Sequence, residues 1–127
     1  MKQGRNEIAV CTFQNRVCPR FDLSHEILIY DNQAPEKGPV EKMDASALSP
    51  EESFSLLVRK EIRVVIVGGM QERYQAMFID HQIKVIWGVI GEVNDVIQAY
   101  RKGTLYSGIG RVPGPMTSKP NKVKVAV

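Results

Sequence analysis

Cys18 and Arg20 stand two residues apart in the segment Arg16–Asp22 (RVCPRFD). A guanidinium beside a thiol favours the thiolate, and a thiolate is a soft donor suited to iron–sulfur or copper–molybdenum–sulfur species. His25, a few residues on, could join Cys18 on a metal or cap the strand that it precedes. A second group of interest is Gly68-Gly69-Met70, which follows the apolar run Val64–Val67. Two glycines let backbone come close to a ligand, and a helix after them would offer free N–H groups and the positive end of its dipole. Such a mouth would take an anion: a sulfide-bridged cluster, an oxyanion or a phosphate. A Gly-Gly turn between strand and helix also occurs with no ligand at all. Cys11 lies inside an apolar run and reads as a small buried hydrophobe. His81 falls on the apolar stripe of a helix near its end, where packing or a bond to a carbonyl suits it.

Other chemistry is poorly served. There is no Walker loop, no G-x-S-x-G, no H-E-x-x-H, no C-x-x-C and no zinc spacing. The first strand carries Cys11 and Thr12 where a metal-dependent nuclease would place an acid. The chain therefore reads as a binding protein and not an enzyme. Residues 1–95 hold 11 basic and 14 acidic side chains, whereas residues 96–127 hold six basic side chains and no acid. Basicity thus belongs to the end of the chain, which has no aromatic after Tyr106 on which a base could stack, so nucleic acid is not an expected partner. No apolar run is long enough for a membrane span, and the first residues lack a signal-peptide pattern. A cytoplasmic protein with reduced thiols is the expectation.

The elements that must position these residues follow from patterning. Glu7–Thr12, Ile27–Asp31, Val40–Met43, Arg63–Val67 and Lys84–Trp87 read as strands. Several of them are apolar at successive positions, as strands buried on both faces are. Ser49, Pro50 and Glu52 spell a helix start with a capping box, and Phe54, Leu57 and Val58 give that helix its apolar face. A second helix over 71–81 aligns Tyr74, Met77, Phe78 and His81. A third, over Glu92–Lys102, aligns Val93, Val96, Ile97 and Tyr100 and stops at Gly103. This order is an α/β domain with a mostly parallel sheet and helices on its faces. Ligands of such sheets bind beyond the carboxyl ends of the strands, where strand order reverses. The loops at that end are Phe13–Phe21, Gly68–Met70 and Gly88–Gly91. From Ser107 the composition turns to Gly, Pro, Ser and Lys and reads as a flexible tail, with VKVAV at its end able to add an edge strand.

Taken in order, the stretches IAVCTFQNRVCPRFDLSHEILIYD (Ile8–Asp31) and VVIVGGMQERYQAMFIDHQIKVIWGVIGEVNDVIQAYRKGTL (Val64–Leu105) resemble the dinitrogenase iron–molybdenum cofactor biosynthesis family. The family's V-x-P-x-F turn is Val17–Phe21 here; its strand ending in Gly-Gly is at Gly68-Gly69, and its final strand and helix are at Ile83–Gly88 and Glu92–Gly103. The resemblance implies a three-layer α/β/α fold with a ribonuclease-H-like motif. Its five mixed strands would run in the order 3-2-1-4-5, with strand 2 antiparallel, over residues 1–106, leaving 107–127 as tail. It implies a non-catalytic carrier or scaffold for an iron–molybdenum or related metal–sulfur cofactor, working with cofactor-assembly or acceptor proteins as a monomer or weak homodimer. The cofactor-binding set would be Cys18, Arg20, His25, Gly68, Gly69 and Met70, with Cys18 and His25 on the metal. Two places depart from the family: Asp44–Leu48 has no thiol or imidazole, and Arg20 stands where many members have His. A regulatory or protein-interaction domain without direct metal ligation is the alternative.

Overall fold

The computed structural model describes residues 7–114. Strand β1 (Glu7–Phe13) turns through Gln14 and Asn15 into the two-residue β2 (Arg16–Val17). Strands β3 (Glu26–Asp31) and β4 (Glu41–Asp44) follow, then helix α1 (Pro50–Arg59), β5 (Ile62–Ile66), α2 (Glu72–Asp80) and β6 (Lys84–Ile86). The short β7 (Val89–Ile90), α3 (Val93–Arg101) and β8 (Gly110–Arg111) complete the chain. The main sheet runs β4-β3-β1-β5-β6, with β2 appended to β1. Strand β3 is antiparallel to both neighbours, whereas β1, β5 and β6 are parallel. This is a mixed α/β sheet.

Alternation along each strand splits the core into two layers. Ala9 and Cys11 of β1, Ile27 and Ile29 of β3, and Val65 of β5 face α1 and α2, where Leu57, Tyr74 and Phe78 cover them. Ile8, Val10, Leu28, Tyr30, Val64 and Ile66 face α3 and its Val93, Val96 and Ile97. Both faces are apolar because both carry helices, which is why the strand sequences look continuously apolar. Helix α1 starts on the expected box: Ser49 Oγ accepts from the Glu52 N–H at 3.0 Å, and Glu52 Oε1 accepts from the Ser49 N–H at 2.8 Å. The His81 ring packs edge-on to Phe54 and its Nδ1 lies 3.0 Å from the Met77 carbonyl, so its role is structural.

The expected five-strand count omits β2, β7 and β8. The expected tail also begins too early. Residues 107–112 pack on the domain: β8 runs parallel to β7, and Val112 is buried in the α3 layer. Glycines at 108 and 110 supply the positive φ of that path, 83° and 78°. The composition of this segment is that of an irregular chain, but buried Val112, partly buried Ile109 and backbone bonds from Gly108, Gly110 and Val112 seat it. The expected edge strand at VKVAV lies outside the described residues.

Candidate functional site

Gln14 and Asn15 both have positive φ, 54° and 67°, as the two central residues of a type I′ hairpin turn do. That turn folds β2 back on β1 in the register Thr12↔Val17 and Phe13↔Arg16. Continuing it, Cys18 faces Cys11, and the Cys18 N–H donates to the Cys11 carbonyl at 2.8 Å. Side chains opposite one another in an antiparallel pair share a face, so Cys18 joins Cys11 in the core layer under α1 and α2.

This placement moves the chemistry away from the expected thiol. Cys18 is 1% exposed, and its Sγ donates to the Arg20 carbonyl at 3.0 Å. Burial pushes the Cys11 thiol up to about 12, with Ser24 partly offsetting the effect. Both thiols are free of disulfide. His25 is exposed, its ring edge-on to Phe13 at 5.2 Å between centroids, whereas Cys18 is buried. Arg20 spends its charge on Asp22, with Nη2 to Oδ2 at 2.6 Å. Among the described residues no group of three or more His, Cys, Asp or Glu could hold a metal ion.

Gly68 and Gly69 also serve the chain itself. Their N–H groups donate to the carbonyls of Cys18 (2.9 Å) and Pro19 (2.6 Å), and the Phe21 N–H returns a bond to the Gly69 carbonyl at 2.8 Å. A Cβ on Gly68 would lie 2.7 Å from the Cys18 oxygen, and one on Gly69 2.9 Å from the Pro19 oxygen. The two glycines exist so that the first loop can cross the end of β5. Met70 packs against the α1–α2 layer, and its carbonyl accepts from Gln75 Nε2. Of the six expected site residues, the crossing brings Cys18, Arg20, Gly68 and Gly69 together, but only Gly68 lines a cavity at the mouth.

That cavity, about 370 Å³, opens at the carboxyl ends of β1, β5 and β6. Its walls are Arg16, Val17, Pro19, Gly68, Gly88, Val89, Ile90 and Gly91. The three loops are tied to one another by backbone: Gly88 N–H donates to the Gly68 carbonyl, Val17 N–H to Gly91 (2.9 Å) and Val93 N–H to Asn15 (3.0 Å). The lining is apolar side chain and glycine backbone, with Arg16 as its one charged residue. No hydrogen bond or ion pair holds the Arg16 guanidinium among the described residues, and Glu92, opposite it in a backbone bridge, lines a different groove. Exposed Ile90 (47%) lines the opening, and exposed Trp87 (43%) adjoins Gly88. Arg16 went unread in the sequence because nothing marked it off from any loop arginine. The missing signal was the hairpin, whose Gln-Asn turn lacks the usual glycine.

Fold and site thus define a small mixed α/β domain with a backbone-walled pocket where its parallel strands end. The chain belongs to the dinitrogenase iron–molybdenum cofactor family, whose profile matches residues 6–103. Its fold is similar to that of PH0822 (TM-score 0.72, 21% identity, covering 81% of this chain and 95% of that one). It is also similar to the apo orange protein of Desulfovibrio gigas (0.67, 21%, 83% and 94%). A NifB-like protein of the DUF35 family from Thermotoga, TM1290, is similar too (0.61, 23%, 80% and 91%). No curated protein matches the chain. No helix among the described residues is long and apolar enough to cross a membrane.

Proposed function

We propose that this protein is a non-catalytic carrier that holds an anionic metal–sulfur cofactor or precursor in the Arg16–Gly91 pocket by shape and charge, without a protein thiolate on the metal. Family membership supports cofactor biosynthesis as the setting. The observation that carries the mode of binding is the lining: an apolar, glycine-walled cavity of small-ligand size in which Arg16, with no ion pair among the described residues, is the one charged residue. A sulfide-rich anion is large, polarisable and weakly hydrated, so it loses less than an oxyanion when it enters such a wall. Guanidinium is itself weakly hydrated and suits the same partner. The pair expected from the sequence supports this reading less well, because Cys18 Sγ is buried whereas His25 is exposed and packs edge-on to Phe13. Trp87 and Ile90 beside the opening would give a cofactor-assembly or acceptor protein an apolar contact next to the cargo.

Anaerobic titration with tetrathiomolybdate, followed by its visible absorption after gel filtration, tests the reading. Wild-type protein should retain about one equivalent. Arg16→Glu should weaken retention at least tenfold, and Cys18→Ala should leave it within about twofold. No retention by the wild type would sink the carrier and favour an interaction domain; loss in Cys18→Ala alone would restore the thiolate as ligand.

A further inference from the structure

Residues 107–112 lie beyond the matched residues 6–103, yet they are hydrogen-bonded to the loop that supplies half of the pocket's lining. We infer that residues 107–112 are a latch that holds the Trp87–Gly91 loop in its cargo-binding shape; the inference rests on the pocket assigned above. Four of the eight lining residues, Gly88, Val89, Ile90 and Gly91, belong to that loop. The latch grips it along its whole length. Ser107 Oγ donates to the Val85 carbonyl (3.3 Å) and accepts from the Trp87 N–H (3.2 Å). Gly108 N–H donates to the Trp87 carbonyl (2.7 Å), Gly110 N–H to Gly88 (2.8 Å) and Val112 N–H to Ile90 (2.8 Å). Contact is as close as backbone allows: a Cβ on Gly88 would meet Gly108 Cα at 2.9 Å, and one on Gly91 would meet Val112 Cβ at 3.5 Å.

Among the described residues nothing else of comparable reach holds this loop on its outer side. From within, Gly88 N–H bonds Gly68 and Val89 N–H reaches Val67 at 3.4 Å, while the Gly91 carbonyl holds Val17. Without the latch, the carbonyls of Gly88 and Ile90 would lose their partners, and a two-residue strand has no independent stability. The loop would sample other conformations, and the pocket would bind only in the fraction of molecules that keep the competent one. Residues 107–112 touch no cargo; they are positioning residues.

Gly110 allows a test at a position outside the pocket. Proline there removes the N–H that bonds Gly88 and cannot adopt a φ of +78°. Asparagine tolerates that φ and keeps the N–H, and a side chain meets nothing within 4 Å. Full-length Gly110→Pro should bind tetrathiomolybdate at least tenfold more weakly than wild type, and its Val112 amide should exchange faster. Gly110→Asn should bind within about twofold. Leu57→Ala, in the opposite core layer, is the control for lost stability alone and should bind within about twofold well below its melting temperature. Gly110→Pro with an opened Val112 amide and unchanged binding would overturn the latch and leave the pocket standing. Unchanged Val112 exchange in Gly110→Pro would overturn the latch as well. A wild type that binds nothing would remove the pocket and the latch together.

Discussion

At the residue scale, the thiols show how register decides chemistry. Cys18 sits in the expected loop, but pairing with Cys11 turns its side chain inward, and one step of register would have turned it to the mouth. Sequence shows Cys18 and Arg20 as neighbours; it does not show that Arg20 is held by Asp22 while Arg16, with no ion pair among the described residues, lines the pocket. Cys11 carries a consequence for stability. Its thiol titrates near 9 when solvated and near 12 in the core, so between those values the unfolded chain has released a proton that the folded chain keeps. Stability therefore falls as pH rises above about 9, by up to about 1.4 kcal/mol per pH unit for this group. Urea unfolding from pH 8 to 11 should show wild type losing more than Cys11→Val. Tyr30, also pushed up by burial, loses in the same direction but is present in both proteins and cancels. Parallel pH profiles for the two would show that the thiol stays solvated.

At the element scale, what the sequence revealed were signals with one physical meaning. Ser49-Pro50 with Glu52 can only start a helix well, and Gly103 at a φ of 75° ends α3 as the stripe of Val93, Val96, Ile97 and Tyr100 requires. Gly68-Gly69 had two meanings, close approach to a ligand or close approach to chain; the crossing by Cys18 and Pro19 shows the second at both glycines, and Gly68 also lines the pocket. Gly68→Ala should accordingly cost about 2–3 kcal/mol, the scale of overpacking against atoms that cannot give way. Gly103→Ala, with open space but a left-handed φ, should cost about 1–2 kcal/mol. Chemical denaturation of the two variants measures both. A Gly68→Ala protein as stable as wild type would mean that the loop crossing is loose enough to open. The hairpin at Gln14-Asn15 and strands β2, β7 and β8 were not legible, since two-residue strands carry no periodicity and are fixed only by their partners.

At the scale of the whole molecule, the boundary of the domain is set by burial and not by composition. The α/β order and both core layers were legible because apolar strands followed by amphipathic helices in the second half of the chain admit few arrangements. Composition placed the end of the domain at Tyr106; burial of Val112 in the α3 layer moves it to at least that residue. A chain ending at Tyr106 loses Val112, the packing of Ile109 against the same layer and the backbone bonds from Gly108, Gly110 and Val112. Burying one valine contributes about 1.5–3 kcal/mol, and the backbone bonds add about 1 kcal/mol each at most. For a domain of this length each kcal/mol moves the melting temperature by roughly 4 °C. Truncation after Tyr106 should therefore lower it by about 6–24 °C relative to a chain ending at Gly114, read by calorimetry or circular dichroism. A difference of under about 2 °C would show that β8 rests on the domain without stabilising it. Because the same segment grips Trp87–Gly91, the loss of stability and the loss of cargo should appear in one truncated protein. Leu57→Ala separates them, costing stability in the opposite core layer while leaving the bonds to the loop in place.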